Sequence, residues 1–289
     1  MKDFSHWSEY DGASEGSGRS EKIWLINNQN NAIGLFKYRK DDDTTDHVSE
    51  CIAYKLACLL GIECAEFELG EYNGRVGSMS YSVLKRPRET LIEGINYIIS
   101  LYPEYDISEL KDRASGKMYS IEMIKESISD VIDFKEFLTI LLFDYLIGNT
   151  DRHQSNWAFI KNDKDIRMSP LYDNSSSLCA YINQKELLEC LGKDKMKWKS
   201  VVDTKSKSII RITSEDKKRP THLKVLQYIK DKYYVETIDM VNKMVSVVND
   251  KNIDEILESY SDSILSINKK KVIKKFLLSK IEMMQEVYF

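Results

Sequence analysis

Proline and glycine are scarce in this chain, at four and twelve of 289 residues. That excludes collagen-like and Pro/Gly-rich disordered compositions, and charged residues at 30% fit a soluble, helix-rich globular protein. Histidine is as scarce, with four in all and none paired at i, i+4, which leaves little for a histidine-built metal site. The five cysteines (51, 58, 64, 179, 190) are an odd set without C-x-x-C spacing. Neither a zinc site nor a disulfide framework is indicated, so they read as reduced packing residues, as in a cytoplasm. The N-terminus, Met1 to Trp7, lacks the apolar run of a signal peptide, and no stretch is long enough to span a bilayer. A net charge of -4 provides no global attraction to nucleic acid or anionic lipid. There is no internal repeat, and the length allows one large domain or two smaller ones.

What is present falls into two parts. Residues 22–26 and 32–38 are apolar runs joined by the polar turn Asn27 to Asn31, a hairpin. Residues 64–71 and 75–84 form a second hairpin across Asn73-Gly74. Between them a helix is expected over about 46–60, with Asp46 as N-cap and Gly61 as its stop. An earlier strand around 6–10 is available as a fifth. After Pro87 the pattern turns helical. The clearest helix is 134–147, with Asp133 and Glu136 as a capping box, apolar residues on almost every side, and Gly148 closing it. Further helices are expected at 221–249, 252–266 and 269–287. The fold class is α+β: a small β-rich N-lobe over residues 1–86 and a larger, mostly helical C-lobe over 87–289, joined near 84–89.

The most informative segment follows the apolar helix directly. Gly148-Asn-Thr-Asp-Arg-His-Gln-Ser-Asn156 places Asn156 five residues after Asp151, and a short hairpin (157–160, 166–168) returns the chain to Pro170-Leu-Tyr-Asp173. Phosphoryl transfer from ATP needs this set. Asp151 would orient the attacking hydroxyl, and Asn156 and Asp173 would hold magnesium against the phosphates. Any one of these residues could be an ordinary loop or capping residue; three on one spacing after a buried helix are less easily explained so.

Other residues fit the same chemistry with less specificity. Lys37 ends the second strand on the face of Ile33 and Leu35, and an inward lysine needs a partner, for which Glu50 on the following helix is the natural candidate. A strand Lys paired with a helix Glu grips nucleotide phosphates in kinases; the plainer alternative is a snorkelling lysine beside a helix-end acid. The stretch 11–20 is rich in Gly and Ser, and Gly16, Ser17 and Gly18 could bring backbone amides to phosphate, although it does not match G-x-G-x-x-G. The adenine would lie against the strand edge 83–86, including Val83 and Lys85. Arg152 could neutralise phosphate or pair with Asp144, and His153 reads as a structural hydrogen bonder. Residues 193–224, with Arg211 and Arg219 among them, are locally basic: a solvated surface, or a docking surface for an acidic partner or anionic substrate.

The run Leu146-Ile-Gly-Asn-Thr-Asp-Arg-His-x-x-Asn-Trp157, with Ser169-Pro-Leu-Tyr-Asp173, resembles the HipA-like serine/threonine kinases, especially their short members. The likeness extends to Gly18-Arg-Ser-Glu-Lys22, Lys37, Ser49-Glu50, Leu56-Ala57 and Leu60-Gly61, and fades in the C-terminal helices. It implies a two-lobed kinase fold, ATP and magnesium as cofactors, Lys37 on ATP, Asp151 as base, and Asn156 and Asp173 on the metal. It also implies autophosphorylation of the glycine-rich loop, for which Ser14, Ser17 and Ser20 are the candidates. Partners implied are a protein substrate and a small antitoxin or regulator, while docking through the N-terminal subdomain of full-length HipA toxins is not expected. The Asp-Arg-His-x-x-Asn run is shared with lipid kinases, so a lipid or small-molecule kinase is an alternative. A catalytically silent binding module on the same scaffold is another.

Overall fold

A computed structural model describes residues 1–11, 21–86 and 88–289. The expected hairpins are present as β3 (Lys22–Ile26) with β4 (Ile33–Tyr38) and β5 (Phe67–Tyr72) with β6 (Arg75–Tyr81). Asn73 and Gly74 both have positive φ, as their two-residue turn requires. Two short strands precede them, β1 (Lys2–Asp3) and β2 (Ser8–Glu9). The six form one sheet in the order β1-β5-β6-β4-β3-β2, antiparallel except for β1 beside β5. That N-terminal edge strand was not foreseen, and the strand expected at 6–10 is only two residues long.

Strand alternation decides where Lys37 points. Phe36 and Leu25 face one side of the sheet, in a small core with Phe4, Trp7, Tyr72 and Met79. Lys37 therefore faces the other side, onto helix α1 (Asp46–Leu60). Gly61 ends α1 in the left-handed conformation, as expected. Its N-cap is Thr45 rather than Asp46, which lies in the first turn and accepts a hydrogen bond from Thr44 Oγ1.

Strand β7 (Thr90–Glu93) leads into α2 (Gly94–Leu101), the short pair β8 (Tyr105–Asp106) and β9 (Lys111–Asp112), and α3 (Ile121–Ile128). Helix α4 (Phe134–Ile147) follows, then β10 (Ala158–Lys161) and β11 (Ile166–Met168). Strand β10 pairs with β11 as foreseen and also with β7, an antiparallel pairing that the sequence pattern did not suggest. Ten of the fourteen residues of α4 are buried, from Phe137 to Ile147, and Gly148 closes it with positive φ. Burying a Leu, Ile or Phe side chain is worth about 1.5–3 kcal/mol, so α4 is a rigid post at the centre of the helical region. The capping box expected at its start is only half there: Asp133 caps through Lys135 N–H, while Glu136 accepts from the backbone at Met168.

The remaining helices are α5 (Gln184–Leu191), α6 (Lys195–Lys199), α7 (His222–Val247), α8 (Asp250–Glu258) and α9 (Ile267–Tyr288). Helix α7 is kinked at Tyr233, and α8 ends eight residues before the expected 266. Helix α1 shares its core with these helices, so one continuous apolar cluster runs from Val48 to Tyr288. All five cysteines are unpaired thiols. Among the described residues no helix is long and apolar enough to cross a membrane.

Candidate active site

Lys37, Glu50 and Asp173 come together where the sheet meets the helical region. Lys37 Nζ lies 3.1 Å from Glu50 Oε1 and 3.0 Å from Asp173 Oδ1. Burial lowers the Lys37 ammonium, but the two carboxylates outweigh it and hold the group above its ordinary range. Burial also raises Glu50. Asp173 would rise for the same reason, yet Lys37 holds its carboxyl at about 2. The lysine pairs with both acids at nearly equal distance, and Glu50 is the more deeply buried of the two, placed to position it. Glu50 Oε2 accepts the backbone N–H of Asn174 at 2.9 Å, so one carboxylate ties helix α1 both to the lysine and to the segment after Asp173.

The segment from Asn149 to Asn156 hangs from α4 and is braced by Arg152. This arginine is 1% exposed, and its guanidinium binds the Asp144 carboxylate at 2.7 Å and Asn174 Oδ1 at 2.6 Å. Its Nη1 donates to two carbonyls, those of Asn156 and Tyr172, each at 2.7 Å. One nitrogen thus joins the backbone at Asn156 to the backbone beside Asp173. Arg152 is fully committed to protein acceptors, and of the two roles considered for it the Asp144 pairing is the one present. The signal was a lone Asp144 on an otherwise apolar, buried helix, which needed a cation. His153 Nδ1 accepts the backbone N–H of Ser155, a structural bond as expected.

Asn156 Nδ2 donates to the Asp151 carbonyl at 2.7 Å. That bond spends the donor end of the amide and leaves Oδ1 as an acceptor. Oxygen from Asn156 and Asp173, completed by phosphate oxygens, suits magnesium, which rarely takes an all-protein cage. No cluster of three His, Cys, Asp or Glu side chains suited to a metal occurs among the described residues. Asp151 itself is half-buried, and burial pushes its carboxyl up; His153 and Arg219 oppose the shift and Asp173 adds to it. A raised carboxyl beside such a cation site is suited to accept a hydroxyl proton.

Two parts of the sequence reading fare differently. Gly16, Ser17 and Gly18 lie outside the described residues, as do Ser14 and Ser20. The 83–86 segment is not a strand edge: β6 ends at Tyr81. Val83 packs partly buried against the core, and the N–H groups of Lys85 and Arg86 both donate to Glu89 Oε2, at 2.8 and 3.0 Å. Those two amides are spent on the protein.

The family model of the HipA-like C-terminal domain matches residues 14–246, most of the chain. The chain belongs to this family. Among curated relatives of this HipA-like chain, the serine/threonine-protein kinase CtkA of Helicobacter pylori is 25% identical over 174 residues, covering 56% of this chain and 51% of CtkA. Y4dM of Sinorhizobium fredii is 26% identical over 161 residues, covering 48% of this chain and 38% of Y4dM. The chain thus spans about half the length of these curated relatives, or less. The crystal structure of the H. pylori proinflammatory kinase CtkA superposes with a TM-score of 0.80 at 19% identity, covering 99% of this chain and 98% of that one. HipA of Shewanella oneidensis, solved with HipB and operator DNA, superposes with a TM-score of 0.60 at 14% identity, covering 96% of this chain and 68% of that one. At those identities the likeness establishes the fold, which is the two-lobed α+β fold of the HipA-like kinases.

Proposed function

We propose that this chain is an ATP- and magnesium-dependent protein kinase that transfers the γ-phosphoryl group to Ser or Thr hydroxyls. The observation that carries the reading is the ion pair of Lys37 with Asp173 at 3.0 Å, with Glu50 behind it. Three residues remote in sequence meet where one cation and one anion can each turn to a phosphate and its metal. The reading divides the chain into an N-lobe through residue 86 and a C-lobe from 87, with nucleotide between them.

In this reading Lys37 binds the α- and β-phosphates, and Glu50 keeps it extended. Asn156 and Asp173 hold magnesium, which when bound neutralises charge on the phosphates. Asp151 accepts the hydrogen bond of the acceptor hydroxyl and takes its proton as the bond to phosphorus forms. Gly16, Ser17 and Gly18 are assigned to phosphate binding. Autophosphorylation and a small regulatory protein partner belong to the same reading. The CtkA relative, itself named a serine/threonine-protein kinase, supports a protein acceptor.

The test is label transfer from γ-labelled ATP with magnesium, to a protein array and to a phosphoinositide panel. Transfer to protein, cut at least about 100-fold by Asp151→Ala and by chelation of the metal, is the expected result. Transfer by Asp151→Ala at the wild-type rate would end the proposal, and label only on the lipid panel would replace protein with lipid as substrate.

A further inference from the structure

A cavity of about 240 Å³ adjoins the loop that carries Asp151 and has no part in the mechanism above. It is lined by Gly148 and Thr150 just before Asp151, by Ser176 and Ile182 from the segment after Asp173, by Val201 and by Phe276 of α9. Thr150 is one peptide bond from Asp151, and its N–H donates to the Ser176 carbonyl at 3.1 Å. The cavity thus lies where the segment of the proposed base is tied to the segment of Asp173. A Cβ on Gly148 would come within 2.6 Å of the Phe276 ring, so that ring lies directly against the backbone leading to Asp151. The exposed lining residues, Tyr181 and Lys205, mark the mouth.

Most polar groups around the cavity are already engaged. Thr150 Oγ1 donates to the Ser176 carbonyl and Ser177 Oγ to the Asn174 carbonyl, at 3.4 and 2.6 Å. Ser206 Oγ is held between His222 and Lys280, and Ser176 Oγ pairs with the Tyr181 hydroxyl. Lys269, 2% exposed, donates through Nζ to the carbonyls of Cys179, Ala180 and Ile182. What remains for an occupant is the apolar surface of Ile182, Val201 and Phe276. The backbone of this wall is also unusual. Leu178 and Cys179 both have positive φ, 51° and 59°, a conformation uncommon outside glycine. Such strain persists where the surroundings impose it, and it collects at ligand-binding sites. Val201 belongs to a π-helical turn, Ser200–Thr204, another irregularity frequent at functional sites.

We infer that the cavity receives a large apolar side chain of the polypeptide acceptor, leucine or phenylalanine in size, flanking the reacting hydroxyl. A cavity of about 150 Å³ holds benzene, so this one has room for a phenyl ring. An extended chain advances about 3.3–3.6 Å per residue, which places that side chain within roughly three positions of the acceptor Ser or Thr. Val201 and Ile182 set substrate choice by the room they leave. This rests on the protein-kinase reading above, because the acceptor chain supplies the side chain.

The experiment measures peptide binding to the full chain, saturated with magnesium and a non-hydrolysable ATP analogue. Fluorescent Ser-centred peptides carry Ala, Leu, Phe, Trp, Asp or Lys at each flanking position in turn. At one position the Leu or Phe peptide is expected to bind at least about 10-fold tighter than its Ala counterpart, in keeping with burial of one apolar side chain. Val201→Phe fills the cavity and should bring that ratio towards one. Val201→Ala enlarges it and should move the preference towards Trp, which decides the matter even where the filled variant does not fold. No apolar preference in the wild type, a preference for Asp or Lys instead, or a preference that neither variant alters overturns the pocket. A parallel transfer assay separates the two readings. Apolar preference without phosphoryl transfer sinks the kinase reading and leaves the pocket standing, whereas transfer to protein without that preference sinks the pocket alone.

Discussion

His222 Nε2 lies 2.8 Å from the carbonyl oxygen of Asn149, 73 residues away in sequence and two residues before Asp151. A carbonyl only accepts, so Nε2 carries the proton; in the neutral imidazole Nδ1 then accepts from Ser206 Oγ at 2.9 Å. Ser206 in turn accepts from Lys280 Nζ at 3.0 Å. A buried chain of donors thus runs from α9 through α7 to the loop bearing the proposed base.

Burial favours neutral His222 in that chain. Burial, with Lys280 adding to it, pushes its imidazole down to about 3, from an ordinary 6.5. Below pH 6.5 the unfolded chain takes up a proton that the folded one refuses until about pH 3. Stability should therefore fall as pH drops through this window. His222→Gln should flatten that part of the urea-midpoint profile, and His222→Ala should cost about 2–3 kcal/mol at pH 7 by orphaning two buried groups. An unchanged profile in the Gln variant would show that the chain does not hold the imidazole neutral.

Lys280 predicts the opposite end of the pH range. It is fully buried, and burial brings its ammonium down to about 7 from 10.5. Between these values the unfolded state binds the extra proton, so stability should rise with pH from 7 towards 10. Lys280→Met keeps the length and removes the charge. It should raise the melting temperature at pH 6 and reduce the slope above pH 7, with Lys269, brought down by burial to about 8, supplying the slope that remains.

Lys37 is the cation that Asp173 and Glu50 share. Lys37→Met strands two acids and should cost about 3 kcal/mol. That is the low end for breaking a buried pair, because the Asp173 side chain keeps 30% exposure and some water. Chemical denaturation would measure the loss, and nucleotide-induced thermal stabilisation should vanish in the same variant. In the wild type, acid should act here late: the Asp173 carboxyl, at about 2 when folded against 3.8, loses its contribution only as pH falls through that interval.

What could be read in advance follows from how local each signal is. Gly61, Asn73-Gly74 and Gly148 mark chain reversals that depend on their own φ, so the elements they bound were placed from sequence. The pairing of Lys37 with Glu50 needed only strand alternation and one helix. Spacing singled out Asn156 and Asp173 as candidates, and the fold joins the backbone at Asn156 to that beside Asp173 through Arg152. The bonds of Arg152 to Asn174, of Glu50 to the Asn174 N–H, and of His222 to Asn149 were not legible, because polar partners this distant are chosen by the fold as a whole. The 83–86 segment misled for a related reason. Its composition suits a strand, but β6 ends at Tyr81 and Glu89 captures two of the amides that follow.

Asn156 is where loop support and metal chemistry can be separated. Its Nδ2 holds the Asp151 carbonyl at 2.7 Å while its Oδ1 is the proposed magnesium ligand. Asn156→Asp keeps an oxygen for the cation but sets a carboxylate against that carbonyl, whereas Asn156→Ala removes both functions. If the oxygen matters for metal, the Ala variant should need at least about tenfold more magnesium to reach half-maximal nucleotide binding, one step of roughly 1.4 kcal/mol. The Asp variant should bind the metal at least as tightly as wild type and yet lose stability by about 1–2 kcal/mol, through repulsion and the lost bond. Equal magnesium requirements in all three proteins would remove Asn156 from the metal site and leave it only as a brace for the Asp151 loop.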